Sequence, residues 1–171
     1  MGAGDLSAAL WQERRQLELL LFRLESQRLH VAAGNIHWLA FTASEVEDVL
    51  DRLGFEALAR NVESGAVAGK WGLPAQATLV ELIASAPLGP WPAILQEHLD
   101  GLRDLLARLG HAASTNDELL RSLELPAGPS DPAGLLDHLA IAGNIERALA
   151  ITRRATQPLM AKYLGDDANS R

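Results

Sequence analysis

LHVAAGNIHWLAFTASEVEDVL, running from Leu29 to Leu50, is the stretch on which the fold turns. Two runs of helix-forming residues meet in it at Gly34-Asn35, with His30, His37 and Trp38 beside the join. A continuous helix there makes residues 6–68 one rod; a reversal makes them two helices of a bundle. Glycine accepts the left-handed conformation just past a helix end, and asparagine is a good cap for the next start. Thr42-x-x-Glu45 offers a second start, to which the reversal could extend. Trp38 argues the other way, because it continues the spacing of the apolar residues before the join. The local chemistry carries more weight, and the stretch predicts a hairpin between two long antiparallel helices. Ala33-Gly-Asn-Ile36 recurs as Ala142-Gly-Asn-Ile145, where it is read as a bend inside one helix.

Outward from the join, Leu10, Leu17, Leu24 and Val31 recur every seven residues, with Leu20 and Leu21 filling the face between them. That is the stripe of a core-facing helix over Leu6–Ala33, leaving Arg14, Arg15, Glu18 and Arg28 for solvent. The second run, Ile36 to about Ala68, presents Leu39, Val46, Val49, Leu50, Leu53, Leu58 and Val62, and is weakened by Gly54, Gly65 and Gly69. It closes at Lys70-Trp-Gly-Leu-Pro74 in the usual terminating order. Thr78-Leu-Val-Glu81 reads as a capping box opening a short helix that ends at Pro87-Leu-Gly-Pro90. A third long helix begins at Trp91-Pro92 and runs toward Leu120, with Gly110 and Ser114-Thr-Asn116 expected to loosen its middle. Leu125–Ser130 is a Pro/Gly linker. Asp131-Pro132 then opens a last helix with Asp as cap and Pro in its first turn. Leu135, Leu139, Ala142, Leu149, Thr152 and Leu159 form its face. Pro158 lacks the amide a helix needs, so a kink or break is expected there, leaving Leu159–Leu164 as a semi-independent apolar turn and residues 165–171 frayed. The predicted class is all-α: an antiparallel bundle of three to four long helices plus one short helix, one domain over 1–171, with a core at 6–122 and a C-terminal helix at 131–164.

The bulk numbers agree with such a domain. Of 171 residues 48% are hydrophobic and 22% charged, the net charge is −7, and there is no cysteine. The acidic balance, with no run of five basic residues, argues against nucleic acid as a partner. The absence of cysteine removes thiol chemistry and thiolate metal sites. No basic and apolar leader opens the chain, and no apolar run reaches the ~18 residues of a membrane span. A cytoplasmic protein is expected.

Catalytic and metal constellations do not emerge. No histidine follows a glutamate at the Glu-x-x-His spacing of a di-iron bundle, and His-Glu-x-x-His is absent. His30 and His37 share a face only along an unbroken helix. All five histidines are read as surface or boundary residues. Acidic pairs such as Glu45/Glu47 and Asp166/Asp167 suit solvated faces, and there is no phosphate-binding glycine loop or nucleophile elbow. The expectation is no enzyme, no cofactor and no metal. Trp11, Trp38, Trp71 and Trp91 are placed near predicted helix ends, where they would close a bundle core; the other use for them is to anchor a partner.

Leu19-Leu-Leu-Phe-Arg-Leu-Glu25, Ala32-Ala-Gly-Asn35, Trp38-Leu39 and Glu45-Val-Glu-Asp-Val-Leu50 resemble the FlgN family of flagellar export chaperones, in its actinobacterial branch. Trp71-Gly-Leu-Pro74, Ala77-Thr-Leu-Val-Glu-Leu82, Pro90-Trp91, Ile94-Leu95, Glu97-His98 and Asn116-Asp-Glu-Leu-Leu120 continue the resemblance in order, over about residues 6–122. It implies an antiparallel helical architecture and a cytosolic protein without enzymatic activity. It also implies binding to the hook-associated (hook–filament junction) proteins before secretion, holding their C-terminal region, and delivery to the cytosolic domain of the export gate. An amphipathic client helix would be covered by helix-in-groove packing. The residues expected at a partner are Leu119, Leu120, Leu123, Leu149, Leu159, Met160, Tyr163 and Leu164. Tyr163, the only tyrosine, is similar in place to the C-terminal tyrosine that flagellar chaperones present to the gate. The chain departs from the family at its C-terminus, where 131–164 reads as a lid, a client-binding element or a plain bundle helix. The second reading is a helical dimerisation or scaffold module unrelated to secretion, a homodimer through the seven-residue seam of the first helix.

Overall fold

The computed structural model describes residues 2–123, 131–156 and 159–166. Every long element among them is a helix: α1 is Ala3–Ala32, α2 Leu39–Lys70, α3 Leu79–Ser85, α4 Trp91–Arg121, α5 Pro132–Thr156 and α6 the single turn Ala161–Leu164. This is the expected all-α class with four long helices and a short one. Residues 125–130, expected to form a linker, and Pro158, where a kink or break is expected, lie outside the described residues.

The hairpin forms. Gly34 adopts φ 82, the Asn35 amide reaches back to the His30 carbonyl at 2.9 Å, and the Gly34 amide to that of Val31 at 3.0 Å. These two bonds are the left-handed glycine stop in which free carbonyls of the last turn are satisfied. The capping expectation needs correction. The Asn35 side chain caps nothing; its backbone carbonyl accepts from the Trp38 amide at 3.1 Å, and a 3-10 turn, Ile36–Trp38, leads into α2. Thr42 is not a start either: it lies inside α2, buried, with its hydroxyl on the Leu39 carbonyl at 3.2 Å. Trp38 leaves the heptad and is 45% exposed. The same glycine stop ends α2, with Gly72 at φ 75 and the Leu73 amide on the Ala68 carbonyl at 2.8 Å. Thr78 and Glu81 make the reciprocal capping box that opens α3. Gly143-Asn144 lies within unbroken α5.

The chain divides into two compact units. The first gathers Met1–Glu18, Asp51–Ala107 and Pro158–Arg171. Its core holds Leu6, Leu10, Leu79, Leu82, Leu95 and Leu102, all fully buried. α1 and α4 run parallel here: Gly4 meets Trp91, and Ser7 meets His98 across 2.9 Å. Buried among these helices, Arg60 of α2 gives Glu13 of α1 two hydrogen bonds of 2.9 and 3.0 Å. Burial of ionised groups without a partner costs several kcal/mol, so this pair fixes the register of α1 against α2. The periodicity put Leu58 and Val62 on the α2 core face; they are exposed, and Arg60, Ser64, Val67 and Ala68 are buried instead.

The second unit gathers Leu19–Leu50 and Arg108–Gln157. Leu20, Leu24, Leu39, Val46 and Leu120 are buried in it, and α1 and α2 lie antiparallel, with Arg23 on Glu45 at 3.2 Å and Gln27 on Thr42 at 3.4 Å. Asn116, expected to loosen α4, does the opposite. It is 1% exposed and donates to the Leu24 carbonyl at 2.8 Å and the Gln27 amide oxygen at 3.1 Å. The four heptad residues of α1 are all buried, Leu10 and Leu17 in the first unit, Leu24 and Val31 in the second. The seam read as a dimerisation surface is therefore spent inside the chain.

Candidate functional site

α5 starts as its sequence dictates. The Asp131 carboxylate accepts from the Gly134 amide at 2.9 Å, and the Asp131 carbonyl from the Leu135 amide at 3.0 Å. The second half of the helix is fastened within its unit. Ala148, Ile151, Thr152 and Ala155 are buried. Arg147 reaches Ser44 at 3.1 Å and Glu47 at 2.9 Å, and Arg154 stands 3.9 Å from Glu47. The first half is covered less completely: none of residues 131–146 is buried, and Gly134, His138, Ile141, Ala142, Asn144 and Ile145 are half-buried. Leu135, Leu136 and Leu139, two of them expected on the core face, are 46%, 69% and 57% exposed. Leucines at such helical spacing form a continuous apolar strip. The strip is flanked by Asp131, Asp137 and Glu146, and no lysine or arginine lies between Pro132 and Glu146. A neutral strip with acidic margins suits an amphipathic helix with basic flanks.

Other apolar side chains of the second unit also face solvent. Trp38 lies 4.8 Å from the His37 ring and 5.7 Å from Phe41, and Phe41, Phe22 and Leu29 are exposed. Trp38 thus corrects the expectation that the tryptophans close the core. Trp11, in the first unit, does so too: it sits within α1, 47% exposed, under the Arg14 guanidinium at 4.3 Å.

The eight residues expected at a partner fall into different units. Leu119, Leu120, Leu123 and Leu149 belong to the second, where Leu120 is buried and the others half-buried; Leu159, Met160, Tyr163 and Leu164 belong to the first. There Leu164 is fully buried. The Tyr163 ring lies 4.0 Å from the Arg60 guanidinium, and its phenol oxygen accepts from Ser64 Oγ at 3.2 Å. Burial holds the phenol above its ordinary pKa, against the pull of Ser64 and Arg60. Nor is the end at 165–166 frayed: the Asp166 carboxylate accepts from Arg103 at 2.6 and 3.1 Å.

One histidine also departs from expectation. His98 is 2% exposed, with Nε2 on Ser7 Oγ at 2.9 Å and the edge of Trp11 at 5.2 Å. Burial, and then the nearby Arg14 charge, push its pKa below 6.5. Nothing about the spacing of His98 distinguishes it from a surface histidine. Among the described residues no group of three acidic or histidine side chains is arranged to hold a metal, and no helix is long and apolar enough to cross a membrane.

Neither curated proteins nor solved structures gave a match to the chain. The family model of the FlgN protein matches residues 1–123, the span of α1 to α4 and the whole of the 6–122 over which the residues themselves resemble that family. A match over well more than half the chain, on a helical bundle with this order of turns and caps, shows that the chain belongs to the FlgN family of flagellar export chaperones.

Proposed function

We propose that this chaperone binds the hook–filament junction proteins in the cytoplasm, keeps them from polymerising before export, and brings them to the cytosolic domain of the type III export gate. Family membership over residues 1–123 carries this reading. The apolar strip Leu135, Leu136 and Leu139 adds a surface of fitting chemistry. A junction protein awaiting export has amphipathic helices whose apolar faces have no neighbours yet, and such a face seats on a strip of leucines by excluding water from both. The acidic margin Asp131, Asp137 and Glu146 selects a helix with basic flanks and speeds its encounter more than it tightens the complex. In this reading α5 is the client-binding element, its second half an anchor and its first half a platform.

The test is calorimetry of the full chain against the C-terminal segments of the junction proteins of its own genome. Saturable binding is expected, weakened at least tenfold by Leu135→Asp with Leu139→Asp. Binding unaffected by those substitutions removes α5 from the client site. Substitutions suit this question better than deleting the C-terminal region, because deletion would also take Tyr163 and Leu164 out of the first unit.

A further inference from the structure

Residues 159–166 are held in the first unit in an unusual way. α6 is a single turn of four residues, too short to persist without tertiary support. It is entered through Met160 at φ 59, ψ −3, a left-handed conformation that costs an L side chain energy, and it is left through Gly165 at φ 93. What holds it is the seat. Arg60 is locked edge-on by Glu13 and gives Asn61 a further bond of 2.7 Å, and the Tyr163 ring covers its guanidinium at 4.0 Å. Ser64 binds the phenol, Leu164 is fully buried, and Gly165 approaches Thr78 and Val80 so closely that an added Cβ would stand 3.4 Å from each. Beside the hook remains an open cleft of about 440 Å³, lined by Asn61, Ala75, Gln76, Met160, Lys162 and Tyr163 among others.

We propose that this seat is a peptide-recognition site that the chain fills with its own Tyr163-Leu164. It also accepts a partner segment presenting an aromatic residue followed by leucine, which displaces the hook. The parts that recognise the pair are a guanidinium face and a serine hydroxyl borne by α2, with the start of α3 against the hook, and they stay in place when the hook leaves. The parts that leave are strained and short. Arg60 and Glu13 remain paired, so release of Tyr163 exposes a cation–π platform and not an orphan charge. The cleft gives a competing segment room to enter before the hook has gone. Because the hook is tethered, its effective concentration is high, and a competitor must be tight or multivalent to displace it. This site lies in the first unit and does not rest on the client reading of α5.

The probe is a fluorescent peptide of residues 159–166, Leu-Met-Ala-Lys-Tyr-Leu-Gly-Asp, titrated into the full chain and into Tyr163→Ala/Leu164→Ala, whose seat is vacant. The vacated chain is expected to bind at least tenfold more tightly than the natural one, and a peptide with leucine in place of tyrosine at least tenfold more weakly than the natural peptide. A vacated chain that keeps its helicity and binds no better than the natural chain overturns the proposal. If the vacated chain loses helicity, hydrogen exchange of the natural chain decides. Saturating peptide should deprotect the Leu164 and Gly165 amides, which bond within the hook at 2.9 and 3.1 Å; unchanged protection overturns the proposal.

Discussion

At the residue scale the structure is decided by a few polar groups that helical patterning treats as solvent-facing. Glu13 and Arg60 are charged residues that a reading of apolar periodicity leaves to solvent, yet they are 1% and 5% exposed. Removing one member leaves the other charged and buried. Glu13→Gln or Arg60→Met should therefore cost about 3–5 kcal/mol in urea unfolding, and the double replacement Glu13→Leu/Arg60→Met should recover most of that loss. Equal losses in single and double variants would mean the pair contributes only packing. His98 makes a different prediction. Its folded-state pKa lies below the unfolded 6.5, so below that pH the unfolded chain binds more protons than the folded one. Its contribution is intact above pH 6.5 and is lost as the pH falls from there toward the folded value. The groups facing it are Ser7, Trp11 and Arg14 of α1, with Glu97 beside it opposing the shift. Unfolding between about pH 7 and pH 5 should show a smaller loss of stability in His98→Gln than in the natural chain; parallel profiles would show that His98 is not the group titrating.

At the element scale the helix ends were legible because each uses a residue with one strong local preference. Gly34 and Gly72 sit at positive φ, Thr78 and Glu81 form the capping box, and Asp131 caps α5. Gly34→Ala should destabilise the chain by roughly 1 kcal/mol, since a Cβ is disfavoured in the left-handed region, while Gly34→Asn should cost less; circular dichroism melts distinguish them. The heptad of α1 was legible too, because that helix is covered along its whole apolar stripe. The faces of α2 and α5 were misread for one reason. Periodicity reports that a helix has an apolar face but not whether the chain supplies a neighbour for it. Leu58, Val62, Leu135 and Leu139 continue apolar stripes yet stand exposed, while the buried positions of α2 nearby go to Arg60 and Ser64, and those of α5 lie further along, at Ala148, Ile151, Ala155 and the expected Thr152. Asn116 was misread from propensity alone: its side chain bonds across to α1 rather than competing with its own backbone. Tyr163 drew notice only by its rarity, and its stack on Arg60 joins residues 103 positions apart by sequence number, beyond any local pattern.

At the scale of the whole molecule, the family match ends at residue 123, and α5 and α6 follow it. The matched part supplies the helices α1 to α4. The remainder supplies the apolar strip in one unit and the Tyr163 hook in the other. Leu135→Asp with Leu139→Asp should change unfolding free energy by only about 1 kcal/mol, because both positions are largely exposed and the main cost is the lower helix propensity of Asp, so a loss of binding in a variant that stays folded reports on contact. The central claim, that the chain is a chaperone for junction proteins, is tested most directly by titrating the purified full chain with the junction proteins of its own genome in a calorimeter. The account predicts a saturable complex with at least one of them, with a dissociation constant of about 1 µM or tighter. No heat of binding to any of them at about 100 µM would contradict it.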